Sequence, residues 1–330
     1  MADPADPAPD DLAPDDLAEA ILGEPRYTVG ELMASTGTDR ELADELWLSL
    51  GFPLTRDEET ASFTEADAEA LRSLGTLLEL GFIDRDQLMA MTRVMGQTLS
   101  RLASTQVQLF HDELAALVAP APGDADPLDA EVRAATTELL VPGVERFVSY
   151  CWRRHLFAAL DRDLHAGSGR VIGFVDLVEF TRTTRDLGPD ELATLVGRFE
   201  RYVYDEVTGS GAHLRKLLGD GVMFDAPDVA TAAGAALALV LRCAEDPHLR
   251  GARGGLAAGP TLAVEGDVYG ETVNRASRLA DLARPNTVLA DGTVAGLLQG
   301  RPGFSLRSIG RQPVKGLGRI DVVVVRPALS

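Results

Sequence analysis

Cysteine is nearly missing from this sequence: there are two in 330 residues, Cys151 and Cys243, far apart and both within helical patterns. Two such thiols make neither a disulfide framework nor a zinc site, and they read as reduced core residues of a cytosolic protein. Positive charge is also short. The chain carries 31 Lys and Arg against 51 Asp and Glu, a formal net charge of −20. That balance argues against wrapping a nucleic-acid backbone and against docking on anionic lipid. Part of the excess is local, because residues 1–20 are acidic, proline-rich and poor in large apolar side chains, the composition of a disordered tail. No basic stretch leading into an apolar core opens the chain, so no signal peptide is expected. The longest apolar run, Ala230–Val240, is too short and too alanine-rich to span a bilayer. No GxxxxGK[ST] follows any strand, which removes a P-loop. The expectation is a cytoplasmic protein without a membrane span. With 45% hydrophobic residues, it has material for two domains with separate cores.

Helical periodicity fills the first half, expected as an all-α domain over 21–166. TVGELMASTG reads as a capped helix, with Thr28 before it, Glu31 three residues on and Gly37 at its end. In TDRELADELWLSLGF, Thr38 takes the N-cap place and Glu41 the capping-box place. FTEADAEALRSLGTLLELGF repeats the device behind Thr64, with Leu71, Leu74 and Leu78 marking one face. A long amphipathic run follows, DRDQLMAMTRVMGQTLSRLASTQVQLFHDEL, then a loop and a further helix broken near Pro142–Gly143. The stretch around 150–165 joins the halves and is the natural switch element.

From Gly167 the texture alternates strand and helix. Val171–Leu177, His213–Leu218, Val222–Phe224, Gly254–Ala258, Val288–Ala290, Phe304–Ile309 and Ile320–Val325 read as strands. Asp190–Thr208, Asp228–Ala244 and Gly270–Ala283 read as helices. The order β-α-β-β-α-β with extra strands predicts an α+β, ferredoxin-like, palm-type sheet over 167–330, with helices on one face.

Two carboxylates stand out in that half. Asp176 in VIGFVDLVEFT and Asp220 in LRKLLGDGVMF each follow a short apolar run. Each is thereby presented at a strand end or hairpin tip. Two carboxylates so held, with Thr181 and a helix start after the first, can clamp hard cations such as Mg²⁺ against a polyphosphate. For Asp220 alone, an ordinary Asp-Gly turn is an equally good reading.

FVDLVEFT, KLLGDGVMF and GDVYGETVNRASRL, in this order and at these spacings, resemble the catalytic domain of class III nucleotidyl cyclases over about Gly169 to Arg326. The helical half resembles the regulatory domain of actinobacterial adenylate cyclases, including pH-responsive, autoinhibited ones. The resemblance implies two divalent ions, Mg²⁺ or Mn²⁺, on Asp176, Asp220 and the backbone carbonyl of Leu177. It implies that Lys216 and Asp267 read adenine, the ammonium donating to N1 and the carboxylate accepting from the 6-amino group. A mismatched donor or acceptor there would discriminate ATP from GTP. Asn274 and Arg278, one helical turn apart, would orient the ribose and stabilise charge on the α-phosphate. Arg253 and Lys315 would contact the β- and γ-phosphates, and Thr181 would lie beside the substrate. Arg275 and Arg284 differ in helical phase and read as solvated or interface charges.

The family also implies a head-to-tail homodimer, in which the aspartates of one subunit meet the adenine-reading residues, Asn274 and Arg278 of the other. One departure is Glu179, where the family carries Gly in the loop that approaches the triphosphate. A second is a MerR-like texture at the N-terminus, which opens a rival reading as a transcription regulator or a weak nucleotide sensor. Asp39, Glu41, Asp44 and Glu45 on the would-be reading helix oppose nucleic-acid binding. Guanylate cyclase is disfavoured by Lys216 and Asp267, and a diguanylate cyclase by the missing GG[DE]EF. His155 and His165 at the junction make proton sensing conceivable, and a small apolar effector in the helical half is the other candidate input. The resulting expectation is an adenylate cyclase converting ATP to 3′,5′-cyclic AMP and pyrophosphate.

Overall fold

The structure, a computed structural model, describes residues 21–54, 57–109, 127–164, 170–185 and 187–328; the side chains of 127–141, 164 and 181 lie outside that description. The chain divides into two compact units, residues 1–158 and 159–330, and the division falls inside a long helix.

In the first unit, helices α1 (Val29–Thr36), α2 (Arg40–Ser49), α3 (Glu65–Glu79) and α4 (Arg85–Leu109) are started by local chemistry. Thr28 and Glu31 form a reciprocal capping box, and Gly37 closes α1 in the left-handed region at φ 68°. Thr64 and Asp67 form a second box at α3. At α2 the cap is Asp39, not Thr38: the Asp39 carboxylate accepts from the Leu42 N–H at 2.9 Å. Both residue types can cap, and the carboxylate adds a favourable charge at the helix N-terminus. Val29, Leu32, Leu46, Phe63, Ala68, Leu71, Leu88 and Met89 form the core between these helices. Helix α5 (Pro127–Leu164) runs through Pro142 without the break the sequence suggested. Proline removes one intrahelical hydrogen bond but does not oblige the flanking turns to unwind. His155 on α5 is exposed, and His165 lies outside the described residues.

The second unit is built on a seven-stranded sheet in the order β2-β3-β1-β4-β7-β9-β8. Its strands are β1 (Arg170–Leu177), β2 (His213–Leu217), β3 (Gly221–Ala226), β4 (Ala252–Gly259), β7 (Val288–Asp291), β8 (Phe304–Val314) and β9 (Gly318–Pro327). The first four pair antiparallel as β2-β3-β1-β4, the ferredoxin-like order, and β4 pairs parallel with β7. A two-stranded ribbon, β5 (Leu262–Val264) with β6 (Asp267–Tyr269), stands apart and was not expected from the sequence. Three-residue strands carry too little alternation to be read in advance.

Helices occupy both faces of this sheet, which corrects the one-face expectation. Helices α7 (Pro189–Val203), α8 (Val229–Glu245) and the short α10 (Gly292–Leu298) cover the face carrying Val171, Val175, Leu177, Val222, Phe224 and Leu256. Helix α7 passes into a π-helical turn over Tyr204–Thr208. The alanine-rich α8 lies deep in this core, which explains its apolar run without any membrane; among the described residues no helix is long and apolar enough to cross one. Helix α9 (Glu271–Leu282) packs on the opposite face, where Ala276 and Ala280 meet Ile172, Phe174, Met223 and Ala257. Its backbone comes very close to β4. A Cβ on Gly255 would stand 2.2 Å from the Ala276 carbonyl oxygen, so only glycine permits this seating.

Candidate active site

Alternation along the strands decides which side chains can meet. Asp176 shares a face with Ile172 and Phe174, and its register neighbours are Gly221 on β3 and Arg253 on β4. Lys216 is registered with Met223, which belongs to the same small core under α9. Asp176, Arg253 and Lys216 therefore belong to the α9 face of the sheet.

Asp176 is half-buried at the end of β1. The Leu177 N–H donates to the Asp220 carbonyl at 2.8 Å, which ties the β2–β3 turn to the end of β1. Gly221 then carries a specific constraint: a Cβ there would lie 2.2 Å from Asp176 Oδ1, so the carboxylate fills the space a side chain would need. Burial pushes the Asp176 carboxyl up to about 6; Arg253 opposes this, while the negative charges of Asp220 and Asp281 add to it. A carboxylate desolvated beside two others calls for a compensating cation. The donors on offer are all oxygen, which suits a hard divalent ion. Among the described residues no group of three or more His, Cys, Asp or Glu could hold a metal, so Asp176 and Asp220 would leave most of the coordination to backbone carbonyls, water and substrate. Leu177 buries its side chain in the main core and keeps its backbone at this edge.

Arg253 donates to the Asp281 carbonyl at 2.8 Å, and its Nε is buried without a hydrogen-bond partner. An orphaned guanidinium N–H beside two carboxylates leaves donor capacity for an anion. Lys216 and Asp267, 51 residues apart in sequence, form a direct ion pair across from β2 to the ribbon. Burial would raise the Asp267 carboxyl, but the Lys216 ammonium and the Val268 N–H outweigh it and hold it low. Asn274 and Arg278 are both exposed on α9, and Arg278 reaches Asp281 at 3.3 Å. Lys315 is exposed in the turn joining β8 and β9. Thr181 falls in the short helix α6 (Phe180–Thr184), with its side chain outside the description.

Arg275, read from its helical phase as a solvated or interface charge, is committed within the chain. It turns inward to Asp291, 2% exposed, at 3.1 Å, and also pairs with Glu271. A buried carboxylate on β7 required a cation, and Arg275 supplies it. Glu179 takes the left-handed conformation at φ 54°, which explains why glycine is the comfortable residue there. Its carboxylate lies 3.4 Å from Arg250 and 3.6 Å from Arg182.

A second cluster, missed in the sequence, surrounds Asp225 on β3, 3% exposed. Arg170 donates to it at 2.7 Å, His213 Nδ1 lies at 3.2 Å and Arg215 pairs with it directly. Burial alone would raise this carboxyl; His213 and the two guanidiniums override it and hold it far below the usual carboxylate range. No short motif links residues 170, 213, 215 and 225, so only strand pairing could have brought them together. Cys243, on α8, is buried in the main core, and desolvation with Asp246 nearby pushes its thiol up to about 12, which disfavours the reactive thiolate. In the helical unit, a groove of about 860 Å³ runs between Leu48–Phe52 and Gly96–Ser104.

Residues 13–153 match the adenylate cyclase regulatory domain. An adenylate cyclase of Streptomyces coelicolor is 38% identical over 300 residues, spanning 89% of this chain and 77% of that protein. A pH-sensitive adenylate cyclase of Mycobacterium tuberculosis is 28% identical over 311 residues, spanning 90% and 76%. Among solved structures, the guanylate cyclase domain of RhGC from Catenaria anguillulae, in complex with GTP, is 19% identical with a TM-score of 0.45, covering 49% of this chain and 98% of that one.

Proposed function

This chain belongs to the adenylate cyclase family, and from that premise we propose that two copies of it share each active site and convert ATP to 3′,5′-cyclic AMP and pyrophosphate. The observation that carries the substrate assignment is the Lys216–Asp267 pair: one donor and one acceptor, joined across 51 residues of sequence, facing the same small region. Adenine offers N1 as an acceptor and its 6-amino group as a donor, so inserting the base exchanges one ion pair for two hydrogen bonds. Guanine presents the reverse pattern and would leave both groups facing like partners.

Asp176, Asp220 and the Leu177 carbonyl are the groups that would hold two divalent ions, Mg²⁺ or Mn²⁺. Bound there, the ions supply charge neutralisation of the triphosphate and a lowered pKa for the attacking ribose hydroxyl. The chain's own residues do the rest. Arg253, with its free Nε, and Lys315 bind the outer phosphates. Asn274 orients the ribose through its amide. Arg278 places a planar, permanently charged fork against the α-phosphate as negative charge accumulates there. The 3′-hydroxyl gives its proton up to water, and its oxygen forms the new bond to phosphorus as the bond to pyrophosphate breaks.

In the shared-site reading, metal-binding and base-reading residues act from opposite subunits, so a single copy is inactive. Regulation belongs to the residues 13–153 unit, through α5, with a small effector or proton uptake as inputs. The deciding experiment incubates purified protein with Mn²⁺ and either ATP or GTP and separates the products. Cyclic AMP from ATP, with little cyclic GMP, is the expected result; cyclic GMP as the main product overturns the base assignment. Mixing Asp176→Ala with Lys216→Ala should restore part of the activity that each lacks alone. Folded variants that fail to complement would sink the shared site.

A further inference from the structure

We propose that Arg215, anchored on the buried carboxylate of Asp225, is a positioning residue that sets the base-reading Asp267 in place and thereby tunes nucleotide selection. The inference rests on the reading of Lys216 and Asp267 as the adenine contacts.

Its basis is an irregularity in the β2–β3 pairing. Leu214 is registered with Phe224 and Lys216 with Met223, so Arg215 is the extra residue of a bulge. In a regular strand, Arg215 and Lys216 would point to opposite faces. The bulge re-aims them, and both reach the same turn of the β5–β6 ribbon. Lys216 pairs with Asp267, and Arg215 Nη1 donates to the carbonyl of Gly266, the preceding residue, at 3.3 Å. That turn is built from two residues with positive φ, Glu265 at 50° and Gly266 at 79°. A ribbon of two three-residue strands is only marginally stable by itself and needs an outside hold.

Arg215 is in turn fixed from behind. Its Nε pairs with Asp225, which is also held by Arg170 and His213. A guanidinium can serve both partners at once because its N–H groups diverge in one rigid plane; an ammonium on a flexible stem cannot reproduce that geometry. The chain of contacts therefore runs from buried Asp225 through Arg215 to the Gly266 carbonyl and on to the carboxylate of Asp267.

The test compares kcat/KM for ATP with that for purine riboside triphosphate, which lacks the 6-amino group Asp267 would recognise. Wild type, Arg215→Lys, Arg215→Met and Asp267→Ala are measured together with their thermal unfolding. Arg215→Lys keeps the charge beside Asp225 and guards against loss of the fold. The expected result is a fall of about tenfold in preference for ATP in both Arg215 variants, mostly through KM. For Arg215→Lys, kcat and melting temperature should stay near wild type. An unchanged preference in both Arg215 variants, while Asp267→Ala abolishes it, overturns the positioning role and leaves the base reading standing. An unchanged preference in Asp267→Ala overturns the base reading and this inference with it.

Discussion

The two faces of the seven-stranded sheet are built for different ends. Under α7, α8 and α10 lies the larger core, with Val175, Phe199, Phe224, Ala232, Leu239 and Leu256 fully buried. Under α9 the core is smaller and falls into two parts, one of Ile172, Phe174, Met223, Val268 and three alanines, the other of Leu279, Ala283, Leu289, Val322 and Val324. The charged residues of the candidate site belong to this thinner side: Asp176, Arg253 and Lys216 on the strands, Asp267 on the ribbon, and Asn274 and Arg278 on α9 itself. A face buried under three helices contributes stability and leaves no room for a substrate. A face covered by one close-seated helix leaves strand ends open beside it. The difference separates changes that should cost activity from changes that should cost folding.

Asp176→Asn should give the largest effect. Activity should fall by about a thousandfold or more, in the range seen when a central charged group is lost, while the melting temperature holds or rises because a desolvated carboxylate is removed. A variant that unfolds instead would place Asp176 in the structural half of the comparison. Phe199→Ala on the opposite face should do the reverse, losing about 3–5 kcal/mol of stability. Its activity per folded molecule should be retained, as read from denaturant titration alongside cyclic AMP production.

Asp225 lies on the thin face yet is held like a core residue, and it sharpens the distinction. Its carboxyl is depressed in the folded state, so its stabilising contribution is complete above the unfolded value near pH 4 and is lost as pH falls toward the folded value. Asp225→Asn should therefore cost about 3 kcal/mol, as expected when a buried ion pair is broken. That deficit should be constant from pH 8 to 5 and shrink below pH 4, as read from denaturant titrations; a deficit that stays the same as pH falls below 4 would remove the ion pair as its cause. Smallest of all should be Glu179→Gly. It relieves a left-handed φ at a non-glycine residue and removes a negative charge near the proposed triphosphate position. KM for ATP should drop by a few fold at most, measured by initial rates. A tenfold loss of activity would mean that the Arg250–Glu179 contact holds the loop in its working shape.

Much of the architecture was legible because it is written locally. Thr28 with Glu31, and Thr64 followed by an acidic residue, announce helix starts through side-chain contacts within one turn. A short continuous apolar run announces β1, and the Gly-Asp-Gly turn announces the β2–β3 hairpin. Readings failed where two local solutions were equally good or where the partner was distant. Thr38 and Asp39 could each cap α2. Arg275 read as a solvated or interface charge by helical phase until Asp291, sixteen residues later, provided a buried charge to meet.

What the sequence by itself determined is the inventory: which elements form, in what order, and which carboxylates, amides and cations they carry. Those choices depend on contacts within a few residues. The tertiary structure alone decided that α9 takes the face opposite the other helices, because Gly255 opens a seat for its backbone on β4. It alone decided that a bulge turns Arg215 and Lys216 toward one ribbon turn, and that Asp225 gathers two arginines and a histidine. Strand register and close backbone approach are properties of paired segments far apart in the chain, and no single stretch of residues encodes them.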